Sequence, residues 1–246
     1  MDVVYIYNGY KDSESLRFSM RSIAKHGKNV GRVFLLGDKR PMWCSDEVLP
    51  IYYASNKGYY KENDITAAIF KAIEHPLIKE RFLICADDYF YIRDTDFDNY
   101  PIYLKGMLPR NTENTEKMGG WKYVRSLINT RALLLAAGLP QRNYGQHCCF
   151  YADPKLMMEF KNVFDAAYML EFGATFDSLM ANMMVDKFSI ETTDRRDNKI
   201  DGAKSYEELL EKIGDTECFS TTANALNFGI RPILNQLFPD KCRYER

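Results

Sequence analysis

The sequence has no CxxC spacing among its six cysteines, no internal repeat, and no low-complexity segment. It also lacks an apolar run of the about 18 residues that a membrane-spanning helix needs. Each absence removes a class of protein. Cys44, Cys85, Cys148, Cys149, Cys218 and Cys242 suit neither a zinc module nor a disulfide framework, Cys148 and Cys149 being adjacent. Reduced thiols are the simpler account. No charged-then-apolar leader pattern opens the chain, so the expectation is a soluble, cytoplasmic protein. The formal net charge is −1, which leaves no chain-wide attraction to nucleic acid or to a membrane surface. Neither GxGxxG nor GxxxxGK occurs, so the dinucleotide fingerprint and the phosphate loop are excluded.

What is present is enough chain, 246 residues, to bury a sizeable core, and a strand–helix alternation to build it. Residues 2–7 (DVVYIY) read as a strand ending at Asn8-Gly9, and residues 13–25 as a helix with Leu16, Met20 and Ile23 on one face. Asp12 or Ser13 is its expected cap. A second buried strand follows at 32–38 and a third, short one at 51–54. A helix is predicted over 65–74, capped by Asn63-Asp64 and stopped by His75-Pro76. Then comes a strand at 82–86. This β-α-β-β-α-β order predicts a parallel sheet. The second half reads as mostly helical: 123–137, a helix opened by Asp153-Pro154, then 175–186 and 205–213, with 191–202 as a charged loop.

Asp87 and Asp88 close the 82–86 strand. Ligands of open α/β sheets sit at the carboxyl ends of parallel strands, and two hard oxygen donors there suit Mg²⁺ or Mn²⁺ bound to a diphosphate. A solvated turn is the other reading. His147, in a non-helical turn beside Tyr144 and Gly145, is a candidate metal ligand or general acid/base if it approaches the two aspartates; otherwise it is a core histidine. Glu14 and Arg17 open the first helix at the same end of the sheet, as a candidate base and a phosphate clamp. Lys61, Asn63 and Asp64 stand near a helix start, a natural place for phosphate or sugar hydroxyls, or simply for capping.

Several blocks then resemble the Stealth family, sugar-phosphate transferases of capsule synthesis. They are DVVYIYNG (2–9), DSESLRFSMRSI (12–23), VGRVFLL (30–36) with Pro41-Met42-Trp43, FLICADDYF (82–90), and HCCF (147–150) followed by Met158-Glu159-Phe160. More widely, the pattern resembles GT-A-type nucleotide-sugar glycosyltransferases. The resemblance implies that Asp87 and Asp88 hold the metal–diphosphate, that His147 is a metal ligand or catalytic group, and that Glu14 stands where the Stealth proteins carry a catalytic aspartate. Arg17 matches an arginine of that block. A downstream arginine of the family is missing, Gly173 and Ala174 standing near its place, which favours glycosyl over sugar-phosphate transfer.

The expectation is therefore a single GT-A-like (Rossmann-like) α/β domain over residues 1–246, with a mixed, mainly parallel sheet flanked by helices. Residues 1–105 would form its nucleotide-sugar half and 106–246 a helical, acceptor-side half. The expected activity is Mn²⁺- or Mg²⁺-dependent transfer of a sugar from a nucleotide-diphosphate donor to an acceptor hydroxyl, on a glycan or a hydroxymethylated DNA base. Tyr7, Asn8 and Gly9 would hold base and ribose, with Asn63 and Asp64 on hydroxyls. The alternatives are Stealth-type hexose-1-phosphate transfer and a non-catalytic nucleotide- or carbohydrate-binding protein.

Overall fold

The computed structural model describes residues 1–7, 14–56, 58–112, 120–190, 192–194, 198–222, 225–227 and 229–246. The first half runs β1 (Asp2–Ile6), α1 (Glu14–His26), β2 (Gly27–Lys28), β3 (Val33–Gly37), β4 (Val48–Tyr52), α2 (Lys61–Ile73) and β5 (Phe82–Ala86). Short strands β6 (Tyr89–Tyr91), β7 (Thr95–Asp96), β8 (Ile102–Leu104) and β9 (Gly106–Met107) lead to α3 (Trp121–Ala136). After β10 (Arg142–Asn143) and β11 (Phe150–Ala152) come α4 (Pro154–Glu159), α5 (Lys161–Met169) and α6 (Phe176–Phe188). The chain closes with β12 (Thr192–Asp194), β13 (Lys199–Ile200), α7 (Tyr206–Ile213), β14 (Cys218–Thr221) and α8 (Ile230–Leu237).

The main sheet has the order β11-β5-β1-β3-β4. Strands β5, β1, β3 and β4 are parallel, in a register that sets Val4 opposite both Phe34 and Ile84. All five residues of β3 are buried, as a strand covered on both faces requires. By contrast, β4 forms an edge and carries an exposed Pro50, where a missing N–H costs no ladder bond. At the other edge β11 runs antiparallel to β5, Phe150 opposite Ile84, so the second half of the chain completes the sheet begun by the first. A smaller sheet, β13-β14-β6, extends from the end of β5 and packs its Phe90 and Phe219 rings 5.2 Å apart. These rings belong to a second apolar cluster with Phe18, Leu209, Ile233 and Leu234.

Helix α1 carries apolar Leu16, Met20 and Ile23 as the spacing predicts, but its buried Ser19 and Ser22 fasten the site. The Ser19 hydroxyl donates to the Tyr89 carbonyl (2.5 Å), and the Tyr91 amide donates to Ser22 Oγ (3.0 Å). The strand that follows Asp87-Asp88 is thereby fixed to the helix. The C-terminus is drawn back to the same helix: Glu245 pairs with Arg21 at 2.6 Å.

Three expectations are corrected. Helix α2 begins at Lys61 behind Tyr60, so Asn63 and Asp64 lie in its first turn and do not cap it. The third strand starts earlier than 51–54. The 191–202 stretch holds two short strands. The helix that Asp153-Pro154 opens begins as expected, and a break at Phe160 separates it from α5. The capping pair Asp12 and Ser13 lies outside the described residues.

Candidate active site

Strand β5 delivers Asp87 and Asp88 into a two-residue turn before β6, at the carboxyl end of the parallel strands. Beside that turn opens a cleft of about 480 Å³. Its walls are the start of α2 (Tyr60, Lys61, Glu62), Lys105, Tyr123 and Leu127 of α3, the link from Asn143 to His147, the start of α6 (Thr175, Phe176, Asp177) and Lys199 of β13. Residues far apart in sequence thus face one space.

Burial pushes the Asp87 carboxyl up to about 7, helped by the adjacent Asp88 charge. Asp88 is raised too, again by burial, while Lys199, His147 and Lys61 pull the other way. Those three side chains are therefore within electrostatic reach of Asp88, and the Ser220 hydroxyl donates to its Oδ2 at 3.5 Å. A second pair of acids stands across the cleft. Glu62 is 5% exposed and its buried Oε1 accepts no hydrogen bond; the Lys61 ammonium lies 3.6 Å away. Its carboxyl is pushed to about 7, by burial first and with Asp177 adding to the rise. Asp177 is also raised by burial, against Lys61 and Lys105. Lys105 donates to the Gly145 carbonyl at 3.2 Å, and a side chain at Gly145 would meet the Tyr123 hydroxyl at 3.0 Å and Asp177 at 3.5 Å. A side chain at position 145 would therefore be tight, and the Tyr123 hydroxyl would have to give by a few tenths of an ångström.

The sequence-derived candidates divide into two groups. Lys61 and His147 line the cleft, and Asp87 and Asp88 close the strand beside it. Tyr7 is buried just past β1, its amide donating to the Leu36 carbonyl at 2.8 Å; Asn8 and Gly9 lie outside the described residues. The others make structural bonds. Arg231 Nε donates to both carboxylate oxygens of Glu14, at 3.0 and 2.9 Å. Arg17 lies over the Trp43 ring at 4.9 Å and pairs with Glu245 at 3.4 Å. Asn63 donates to the carbonyls of Tyr168 and Leu170, and Asp64 accepts from Tyr53, Ser55 and the Asn56 amide. Glu62, Lys105, Asp177 and Lys199 were not singled out from the sequence as site residues. An acid in the first turn of a helix reads as macrodipole complement, and Lys199 reads as part of a solvated basic loop with Arg195 and Arg196.

The donor chemistry of Asp87, Asp88 and His147 was tested against a divalent cation. Among the described residues no group of three or more His, Cys, Asp or Glu side chains forms a ready metal cage. Mg²⁺ does not ask for one, being held typically by one or two carboxylates together with substrate phosphates and water. Two adjacent carboxyls that burial keeps from ionising together are a seat that a cation completes, so the residues fit.

No family model and no curated relative matches the sequence, so the Stealth resemblance stays one of short blocks. Solved structures match over nearly the whole chain. The galactosyltransferase LgtC, in complex with donor and acceptor sugar analogues, is 12% identical, with 98% of this chain and 96% of that chain covered, at a TM-score of 0.51. An active-site mutant of LgtC is 11% identical over 96% and 95%, at 0.48. The first likeness shows the fold: a mixed α/β architecture with a mainly parallel sheet, as in GT-A glycosyltransferases. No helix among the described residues is long and apolar enough to cross a membrane.

Proposed function

We propose that this chain is a glycosyltransferase that moves a sugar from a nucleoside-diphosphate sugar to an acceptor hydroxyl. The observation that carries the reading is the meeting, in one cleft at the strand ends of a GT-A-like sheet, of buried carboxyls with Lys61, Lys105, Lys199 and His147. A diphosphate needs cations, and sugar hydroxyls need carboxylate acceptors. Both are supplied within one cavity.

Asp87 and Asp88 would hold Mg²⁺ or Mn²⁺, with His147 beside them; such an ion offsets charge on the leaving nucleoside diphosphate. Lys199 and Lys61 face the same phosphates, as mobile ammonium groups suited to a spread of charge. Tyr7, just past the end of β1, is assigned to base and ribose. Glu62 and Asp177 sit where acceptor and donor sugar meet. A carboxyl poised near 7 accepts a proton from a hydroxyl more readily than one at its ordinary value, which assigns general-base work to Glu62, with Asp177 beside it, rather than to Glu14 in its pair with Arg231. Stealth-type transfer would instead release a nucleoside monophosphate, and nothing in the cleft favours it: Glu14 and Arg17, the residues of its first block, pair with Arg231 and Glu245.

The test is thermal melting with a panel of nucleoside diphosphates, with and without Mn²⁺. Binding to the native state raises Tm by linkage. At least one diphosphate should raise Tm more with Mn²⁺ than without it, and Asp88→Asn should erase the difference. Equal shifts in wild type and variant would remove Asp88 from the cation seat.

A further inference from the structure

Beyond the cleft mouth the structure carries a row of aromatic rings in edge-to-face contact. Tyr60 lines the cleft and stands 5.6 Å from Phe172, at an interplanar angle of 85°. Phe172 in turn stands 5.0 Å from Trp121, at 75°, and Trp121 is 55% exposed. Tyr59, 44% exposed, packs against Tyr168 at 5.2 Å alongside. The row therefore starts inside the cavity and runs out over the surface.

The segment bearing Phe172 is held in an unfavourable shape by side chains from two helices. Phe172 has a φ of +64°, a left-handed conformation rare for a bulky residue. Ser126 of α3 donates to its carbonyl at 2.6 Å, and Asn129 donates to the carbonyls of Glu171 and Gly173 at 2.8 and 2.7 Å. From α2, Asn63 grips the carbonyls of Tyr168 and Leu170. Glycine at 173 is required as well, since a Cβ there would fall 2.8 Å from the Asn63 amide. Three polar side chains and a glycine thus fix one ring between Tyr60 and Trp121.

We infer that the Tyr60–Phe172–Trp121 row is a binding platform for the acceptor, and that the acceptor is a saccharide of more than one sugar unit. The inference rests on the proposed sugar transfer. Pyranose rings present apolar C–H faces rimmed by hydroxyls, and exposed aromatic rings beside a polar cleft complement both features. Continuity settles the direction: a chain whose terminal hydroxyl enters the cleft at Tyr60 has its next sugars over Phe172 and Trp121. Among the described residues, Lys122 stands 5.9 Å from the Trp121 ring, and Lys61 stands 6.0 Å from the ring of Tyr123 in the cleft wall.

The sequence contains two tryptophans, and the other, Trp43, sits under Arg17, which lets Trp121 emission report directly. Wild type and Trp121→Phe are titrated with neutral di- to hexasaccharides of α-1,4, β-1,4 and β-1,3 linkage, beside a separate melting titration with nucleoside diphosphate and Mn²⁺. The expected result is an emission shift that strengthens with chain length and disappears in Trp121→Phe. Trp121→Ala, read by calorimetry, should weaken saccharide binding about tenfold, or about 1.4 kcal/mol, with nucleotide binding unchanged. Unmoved emission across the panel, in protein that still binds nucleotide, overturns the platform. So does a shift produced by a single-stranded oligonucleotide and by no saccharide, or an emission that varies with protein concentration as two copies associate through this face. Saccharide binding without any nucleotide binding keeps the platform and removes the transferase reading instead.

Discussion

Asp87 is the residue at which pH and stability meet. An unfolded aspartate titrates near 4, whereas burial and the Asp88 charge raise the folded group to about 7. Between those values the native state binds the extra proton, so stability falls as pH rises through the window. Asp87→Asn should therefore melt higher than wild type at pH 8, by about 2–4 kcal/mol at roughly 2–4 °C per kcal/mol, with the gain vanishing near pH 4. A variant no more stable than wild type at pH 8 would contradict the burial argument. Lys199→Ala tests the opposite charge: the apparent affinity for nucleoside diphosphate, read by calorimetry, should drop about tenfold, the loss of one charge-assisted contact. Of this chemistry the sequence disclosed the acids, because a paired aspartate closing an apolar run marks a strand end. Glu62 and Asp177 stayed hidden, since only the approach of α2 to α6 brings these two ordinary helix-start acids to one cleft.

At the scale of elements, the ends of β1 and β3 come so close that one position tolerates no side chain. A Cβ on Gly37 would lie 2.0 Å from the Tyr7 carbonyl oxygen, a clash with backbone that no rotamer relieves. Gly37→Ala should cost on the order of 3 kcal/mol, read as a lower urea midpoint with an unchanged slope. A midpoint within error of wild type would mean that the two strand ends move apart freely. Strands β1, β3 and β5 were legible because each is an unbroken apolar run bounded by turn residues. Strand β11 was not: Phe150–Ala152 is three residues long, follows two cysteines, and becomes a strand only because β5 offers it an edge. The Tyr60 cap was missed for a related reason. Asn63 and Asp64 look like better caps, but their side chains bind other segments, Asn63 the C-terminal end of α5 and Asp64 the loop at 53–56.

For the whole molecule, four parallel strands and one returning strand bring the 87–88 turn, the start of α2, the start of α6 and the 143–147 link around one cavity. Alternation of strand and helix announced that sheet in the sequence, and a near-neutral charge argued against a polyanionic partner. The cavity itself has no sequence signature, because its walls come from segments more than a hundred residues apart. The central claim is that this cavity breaks the bond between a sugar and a nucleoside diphosphate. Phosphorus-31 NMR of the protein incubated with nucleoside-diphosphate sugars, diamagnetic Mg²⁺ and the saccharides tested above follows that bond directly. The account predicts a resonance of free nucleoside diphosphate that grows in wild type and is at least about a hundredfold slower to appear in Asp88→Asn. Release of nucleoside monophosphate, or a bound donor that stays intact with every acceptor, would contradict it.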